Sequence, residues 1–248
     1  MATLRNWLQQ GPFTLALSSS FFGYYAHSGA AEALLGSGHI PGKITGSSAG
    51  ALVGGALCSG LSPEATRDLL FGIRREDFWD PFPGLGYLRG RKFLGVLERH
   101  FVPDFAGAKI PLEVAVFDLL RCRTRFLSQG SLPQAIVASC AVPLLFHPVR
   151  IDGKLYIDGG VFHKSGMKPG LPEERVLCVF LQSKGLSDAY ELGRSLGRVG
   201  REQRVLRLKN LPRVHYNSLE TGKQAHAEAL ARVRAALDRE LSGHLTDA

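Results

Sequence analysis

The stretch Lys43-Ile44-Thr45-Gly46-Ser47-Ser48-Ala49-Gly50-Ala51-Leu52-Val53 runs from a strand-like triplet through a crowded turn into a helix-like run of small and apolar residues that continues to Cys58. Its centre, Gly46-Ser47-Ser48-Ala49-Gly50, matches G-x-S-x-G. In that pattern a strained strand-to-helix turn pushes the serine outward, and the flanking glycines relieve the crowding this causes. The bare pentapeptide is a weak signal in a chain with 29 glycines, but the strand before it and the helix after it are the context the motif requires. Ser48 is the candidate nucleophile, and Gly46 and Gly50 are the motif glycines.

Working outward, short apolar runs alternate with amphipathic helical patterns, the arrangement that builds a mainly parallel sheet covered by helices. The class is α/β. Strands are expected at Phe13 to Leu17, Lys43 to Thr45, Leu112 to Phe117, Arg123 to Leu127 and Val176 to Leu181. Helices are expected at Ala26 to Leu35, Ala49 to Cys58, Pro133 to Cys140 and about Leu219 to Leu237. Ser62-Pro63-Glu64 reads as a capped helix start with proline in the first turn. Asp77 to Arg91, rich in aromatic residues, glycine and proline, reads as an irregular surface loop of the kind that covers a site. Val149 to Ile157 reads as a hairpin turning at Asp152-Gly153, and it delivers Asp158 to a strand end.

A serine hydroxyl needs a base. Asp158-Gly159-Gly160 follows the apolar Leu155-Tyr156-Ile157, so a carboxylate sits at a strand end while two glycines let another backbone approach. On pattern alone, catalytic base and ordinary turn residue are equal readings of Asp158; Asp152 is the turn residue. With an unperturbed carboxylate pKa near 4, such a base implies a slow enzyme.

Gly46 to Gly50, then Ser139-Cys140-Ala141-Val142-Pro143, then Ile151-Asp152-Gly153 through Asp158-Gly159-Gly160 resemble the patatin-like phospholipases, with the similarity running from about Phe13 to Gly160. The resemblance implies a three-layer α/β/α fold and a Ser48/Asp158 dyad without histidine, hydrolysing fatty-acyl esters of lipids. It also implies a first loop whose backbone amides form an oxyanion hole. The family reads G-G-G-x-[KR]-G there; this chain has Ser18-Ser19-Ser20-Phe21-Phe22-Gly23, with no basic residue. Amides rather than glycine itself do the work, so Ser19 and Ser20, with Ala49, are the expected donors. Phe21, Phe22, Tyr24 and Tyr25 are expected in the core rather than against lipid.

Two rivals remain. An α/β-hydrolase triad of Ser48, Asp158 and His163 or His215 has the right chain order, but only one strand and one helix precede the serine. A non-catalytic lipid- or protein-binding module would retain the fold after its first loop had decayed.

The whole chain bounds these readings. Its 248 residues, 45% hydrophobic and 21% charged, suit one globular domain over 1–248, with the motif-bearing core at about 13–181. No apolar run approaches the roughly 20 residues of a membrane span, and the apolar patch from Phe13 is too short for a secretion signal. Scattered Cys58, Cys122, Cys140 and Cys178 suggest thiols in a reducing cytosol rather than disulfides or zinc, and no cofactor is expected. A net charge of +8 favours polyanions, yet no nucleic-acid motif accompanies it. The expected partners are a lipid or acyl-ester substrate and, through the aromatic segment Phe78 to Tyr87, a weak, salt-sensitive peripheral contact with anionic membrane. The expected location is cytoplasmic.

Overall fold

The computed structural model describes residues 3–169, 174–182, 200, 202–215, 217–241 and 243–248. In chain order the helices are α1 (Leu4–Gln9), α2 (Tyr24–Gly36), α3 (Ala49–Cys58), α4 (Pro63–Gly72), α5 (Arg91–His100), α6 (Leu132–Ser139) and α7 (Thr221–Leu237). The strands are β1 (Thr14–Leu17), β2 (Lys43–Ser47), β3 (Gly86–Leu88), β4 (Leu112–Asp118), β5 (Arg123–Leu127), β6 (Leu144–Phe146), β7 (Val149–Ile151), β8 (Lys154–Asp158), β9 (Val176–Gln182), β10 (Gln203–Lys209) and β11 (Leu245–Asp247).

The expected α/β fold with a mainly parallel central sheet is what forms. The main sheet has the order β11-β10-β9-β1-β2-β4-β8-β7, with β5 also paired to β4. Its centre, β10-β9-β1-β2-β4, is parallel throughout, and the antiparallel pairs are confined to the side of β4 that carries β5, β8 and β7. Buried strands of this kind alternate between two apolar faces. Leu15 and Leu17 of β1, Leu177 and Val179 of β9 and Leu206 and Leu208 of β10 join the large core shared with the helices. Ala16, Cys178, Phe180 and Val205 face the other way, into a smaller cluster closed by Met167.

Local chemistry sets the element ends. Ser62 accepts the Ala65 amide at 3.1 Å and Ser131 accepts that of Gln134 at 3.4 Å, and each of those helices has proline in its first turn. Asp152 and Gly153 both take positive φ, 47° and 74°, which the two-residue hairpin between β7 and β8 demands. The segment Asp77 to Arg91 departs from the expected wholly irregular loop. Gly86–Leu88 forms a short parallel pair with Leu144–Phe146, so that segment is held to the chain just after α6. No helix among the described residues is long and apolar enough to cross a membrane.

Candidate functional site

At the end of β2 the chain turns abruptly into α3, and the residue at the corner is Ser48, with φ 51° and ψ −116°. A non-glycine residue at positive φ is held there only by its surroundings. Three hydrogen bonds supply the restraint. The Ser48 amide donates to Ser139 Oγ at 2.8 Å, its carbonyl accepts the Leu52 amide at 3.0 Å, and its hydroxyl donates to Asp158 Oδ2 at 2.7 Å. Ser139, fully buried at the end of α6, donates in turn to the Ala115 carbonyl of β4 at 2.7 Å. The sequence motif around Ser139 pointed to a family likeness but not to this task; a buried serine next to a small-residue turn has no spacing signature that would reveal it.

The glycine after the corner has a steric purpose. A Cβ on Gly50 would lie 2.2 Å from the Leu17 carbonyl oxygen, so α3 could not pack so closely on β1 with any side chain there.

Asp158 ends β8, which lies next but one to β2 with β4 between them, and this is how residues so distant in sequence meet. Its amide donates to the Ala141 carbonyl at 2.9 Å, and its Oδ1 accepts the Gly160 amide at 2.6 Å, which leaves Oδ2 facing Ser48. The side chain is buried. Burial pushes its pKa from the ordinary value near 3.8 up to about 6, against the lowering effects of the Ser48 hydroxyl and the Gly160 amide. Asp158 is therefore a stronger base than the unperturbed carboxylate on which the expectation of a slow enzyme rests.

Of the three donors expected around an oxyanion, one is corrected. The Ser19 amide donates to the Lys164 carbonyl at 2.8 Å and so cannot serve, and Ser18 likewise donates to Val179 at 3.2 Å. The cause is that the chain leaving β1 stays in pairing contact with neighbouring segments for two residues more than the strand itself. Ser19 instead packs its side chain on the turn after Asp158; a Cβ on Gly160 would meet Ser19 Oγ at 2.2 Å. The amides of Ser20 and Ala49 donate to no partner among the described residues, and both residues line one cavity with Ser48.

That cavity has a volume of about 380 Å³. Its walls include Phe22, Tyr24, Leu52, Phe78, Phe93 and Phe146. The four aromatics after β1 divide between roles. Tyr24 and Tyr25 are buried as expected, although Tyr24 borders the cavity together with Phe21 and Phe22, and Phe21 is 56% exposed. Phe78, Trp79 and Leu88 bring the aromatic-rich segment to the site, while the walls from α5 and β6 had no cue in the sequence. Cys140 also borders the cavity. Burial first, and then the Asp158 charge, hold its thiol well above the ordinary value, so it stays protonated and does not compete as a nucleophile.

The histidines are placed otherwise than a triad needs. His163 Nε2 bonds the Met167 carbonyl, and its ring stands edge-on to Phe126 at 5.5 Å. His215 is exposed on the cavity border. The direct contact of Ser48 with Asp158 leaves no imidazole between them. His27 is fully buried beneath the first loop, with Nε2 2.7 Å from the Ser18 carbonyl, and burial lowers its pKa to about 4.

Comparison with known proteins fits this arrangement. The family model described as patatin-like phospholipase matches residues 15–169, which contain both Ser48 and Asp158. Uncharacterized NTE family proteins of Mycobacterium tuberculosis and Mycobacterium bovis are 34% identical over 184 residues, covering 71% of this chain and 51% of theirs. The chain thus matches about half the length of those curated relatives. Among solved structures, VipD from Legionella pneumophila superposes with a TM-score of 0.53 at 15% identity, over 89% of this chain and 67% of that one, a likeness of fold.

Proposed function

Because this chain belongs to the patatin-like phospholipase family, we propose that it is a serine acyl hydrolase of lipid esters, whether phospholipid, lysophospholipid or neutral lipid, working through Ser48 and Asp158. The observation that carries the reading is the 2.7 Å hydrogen bond from the Ser48 hydroxyl to a buried carboxylate, at the floor of an apolar cavity.

The acyl chain lies among Phe22, Leu52, Phe78 and Phe93, with the ester carbonyl over Ser48. As Ser48 Oγ bonds to the carbonyl carbon, its proton passes to Asp158 Oδ2, and the oxyanion forms between the amides of Ser20 and Ala49. Collapse expels the alcohol, which takes the proton from Asp158 and leaves an acyl-Ser48 ester. Water then attacks that ester, giving its proton to Asp158, and the proton returns to Ser48 Oγ as the fatty acid departs.

A second reading rests on the spent amides of Ser18 and Ser19 and the lack of a basic residue in that loop: a module that holds an acyl chain without turning it over. One experiment separates the two. A fluorophosphonate probe should label the wild type at Ser48, fail on Ser48→Ala, and label Asp158→Asn at least about a thousandfold more slowly. Hydrolysis of a p-nitrophenyl acyl ester should follow the same order. Folded wild type that neither labels nor hydrolyses would leave the binding module as the reading, and labelling that survives Asp158→Asn but is lost with His163→Ala or His215→Ala would move the base to a histidine.

A further inference from the structure

Leu144, in one of the two short strands that wall the cavity, and Leu85, just before the other, are the most exposed large apolar side chains among the described residues. Leu88 and Phe146 line the cavity that holds Ser48. On the same ribbon, Gly86 pairs with Leu144, and Leu144 and Leu85 are 84% and 73% exposed. Tyr87 and Phe82 are each about half exposed, and they are held together by the Phe82 amide donating to the Tyr87 carbonyl at 2.9 Å. Leu144 is further marked by φ 68°, a conformation a leucine takes at a cost, here with most of its side chain exposed. Isolated exposed apolar residues are ordinary, but several gathered on and next to a ribbon whose Leu88 and Phe146 line an apolar cavity form an interaction surface.

The rim of this surface is basic. Arg89 lies over the Phe82 ring at 4.2 Å, and Arg91 and Lys92 follow, exposed, in the first turn of α5. Asp80, in the same segment, is turned to a structural task, accepting the amides of Gly90, Arg91 and Lys92 at 3.0, 2.8 and 3.1 Å. Apolar side chains ringed by guanidinium and ammonium groups match an anionic bilayer, whose headgroups attract the cations while its hydrocarbon takes the apolar tips.

We propose that Phe82, Leu85, Tyr87 and Leu144, with Arg89, Arg91 and Lys92 around them, are the face by which the protein rests on an anionic lipid surface. The inference relies on the lipid-hydrolase reading only in taking the bilayer as the source of substrate. Binding is therefore measured on Ser48→Ala, by sedimentation with vesicles of phosphatidylcholine alone and of an equal mixture of phosphatidylcholine and phosphatidylglycerol. The protein should bind the mixed vesicles, more weakly as salt is raised, and bind neutral vesicles poorly. Adding Leu85→Glu with Leu144→Glu should lower partitioning onto mixed vesicles at least about tenfold, as should Arg91→Glu with Lys92→Glu. Made in the wild-type background, both pairs should hydrolyse a short soluble ester within about twofold of wild type, because none of these side chains lines the cavity. No vesicle binding at low salt, equal binding to both vesicle types, or binding indifferent to both pairs would overturn the proposal. So would a chain that forms dimers dissociated by Leu85→Glu with Leu144→Glu, since the face would then belong to a second copy. Failure of fluorophosphonate labelling overturns the hydrolase reading by itself and leaves the vesicle result standing.

Discussion

The corner at Ser48 and the loop from Ser18 to Gly23 both reach the same cavity, the loop through Ser20, Phe21 and Phe22, yet they are held in different ways. At the corner, the amide, carbonyl and hydroxyl of one strained residue are each tied to a partner, and glycine follows where a neighbouring backbone leaves no room for a Cβ. In the loop, Ser18 and Ser19 are tied, Ser20 offers a free amide, and a turn closed by the Gly23 amide on the Ser20 carbonyl at 2.9 Å sets Phe22 at φ 52°. Glycine ordinarily takes that place in such a turn. The difference teaches that glycine is irreplaceable where two backbones touch and replaceable where only an amide is needed. Gly23 survives because its Cβ would lie 2.6 Å from that of Ser20, whereas serines serve at the positions before the turn.

The sharpest way to break this comparison is to remove the loop's free amide. Ser20→Pro should lower kcat by about 10² to 10³, the cost of one oxyanion donor, with KM for a short ester little changed. The thermal midpoint reports whether the loop has kept its fold. An unchanged kcat would place the donor elsewhere and reduce the loop to a wall of the cavity.

The corner was legible in the sequence because its constraints are local: a strand, a glycine-flanked serine and a small-residue helix lie within one short run. Asp158 was legible from pattern only as one of two equal readings, since its partner is set by strand order, and no local feature says that β8 lies next but one to β2, across β4. The loop was legible in its donor type but not in its donor identity. Whether Ser19 or Ser20 is spent depends on how far pairing with distant segments extends past β1, which Lys164 decides. The cavity was less legible still, because its walls come from α5, β6 and the aromatic segment, brought together by tertiary packing alone.

The base itself gives the next largest effect. Burial raises Asp158 to about 6, so the folded protein holds at neutral pH a charge that the unfolded chain would carry more easily. For an acid with a raised folded pKa, stability is greatest below the unfolded value near 4 and falls as pH rises to about 6. Asp158→Asn should therefore stabilise the protein at pH 7 by up to about 3 kcal/mol, a gain that closes below pH 4 in urea titrations across pH. In the wild type, kcat/KM should rise with pH through about 6 and then level, since only the carboxylate accepts the proton. A variant no more stable at pH 7 than at pH 4 would show that Asp158 is better solvated than its burial implies.

Ser139→Ala tests the corner's tie from beneath. The Ser48 amide would lose its acceptor, costing about 1–3 kcal/mol of stability. The corner would also relax, slowing fluorophosphonate labelling by about tenfold while KM is unaffected, because no substrate atom meets Ser139. Stability loss without slower labelling would mean that Asp158 and the glycines alone hold the serine in place.

The smallest effect separates backbone from side chain in the loop. Phe22 packs near Phe21 and Phe78, with ring centroids 4.7 and 6.3 Å away, so Phe22→Ala and Phe22→Gly both remove a wall of the cavity and should raise KM for long-chain esters alike. They differ in what they do to the turn. Alanine must keep the left-handed conformation at a cost of about 1–2 kcal/mol, whereas glycine adopts it freely but loses more chain entropy on folding, about 0.5–1 kcal/mol. The glycine variant should therefore be the more stable of the two by up to about 1 kcal/mol, read as a higher urea midpoint at equal slope. If alanine matches or exceeds glycine, the turn has moved out of positive φ once the ring is gone, and it is the packing of Phe22, not the Ser20–Gly23 hydrogen bond, that holds the loop's shape and with it the direction of the Ser20 amide.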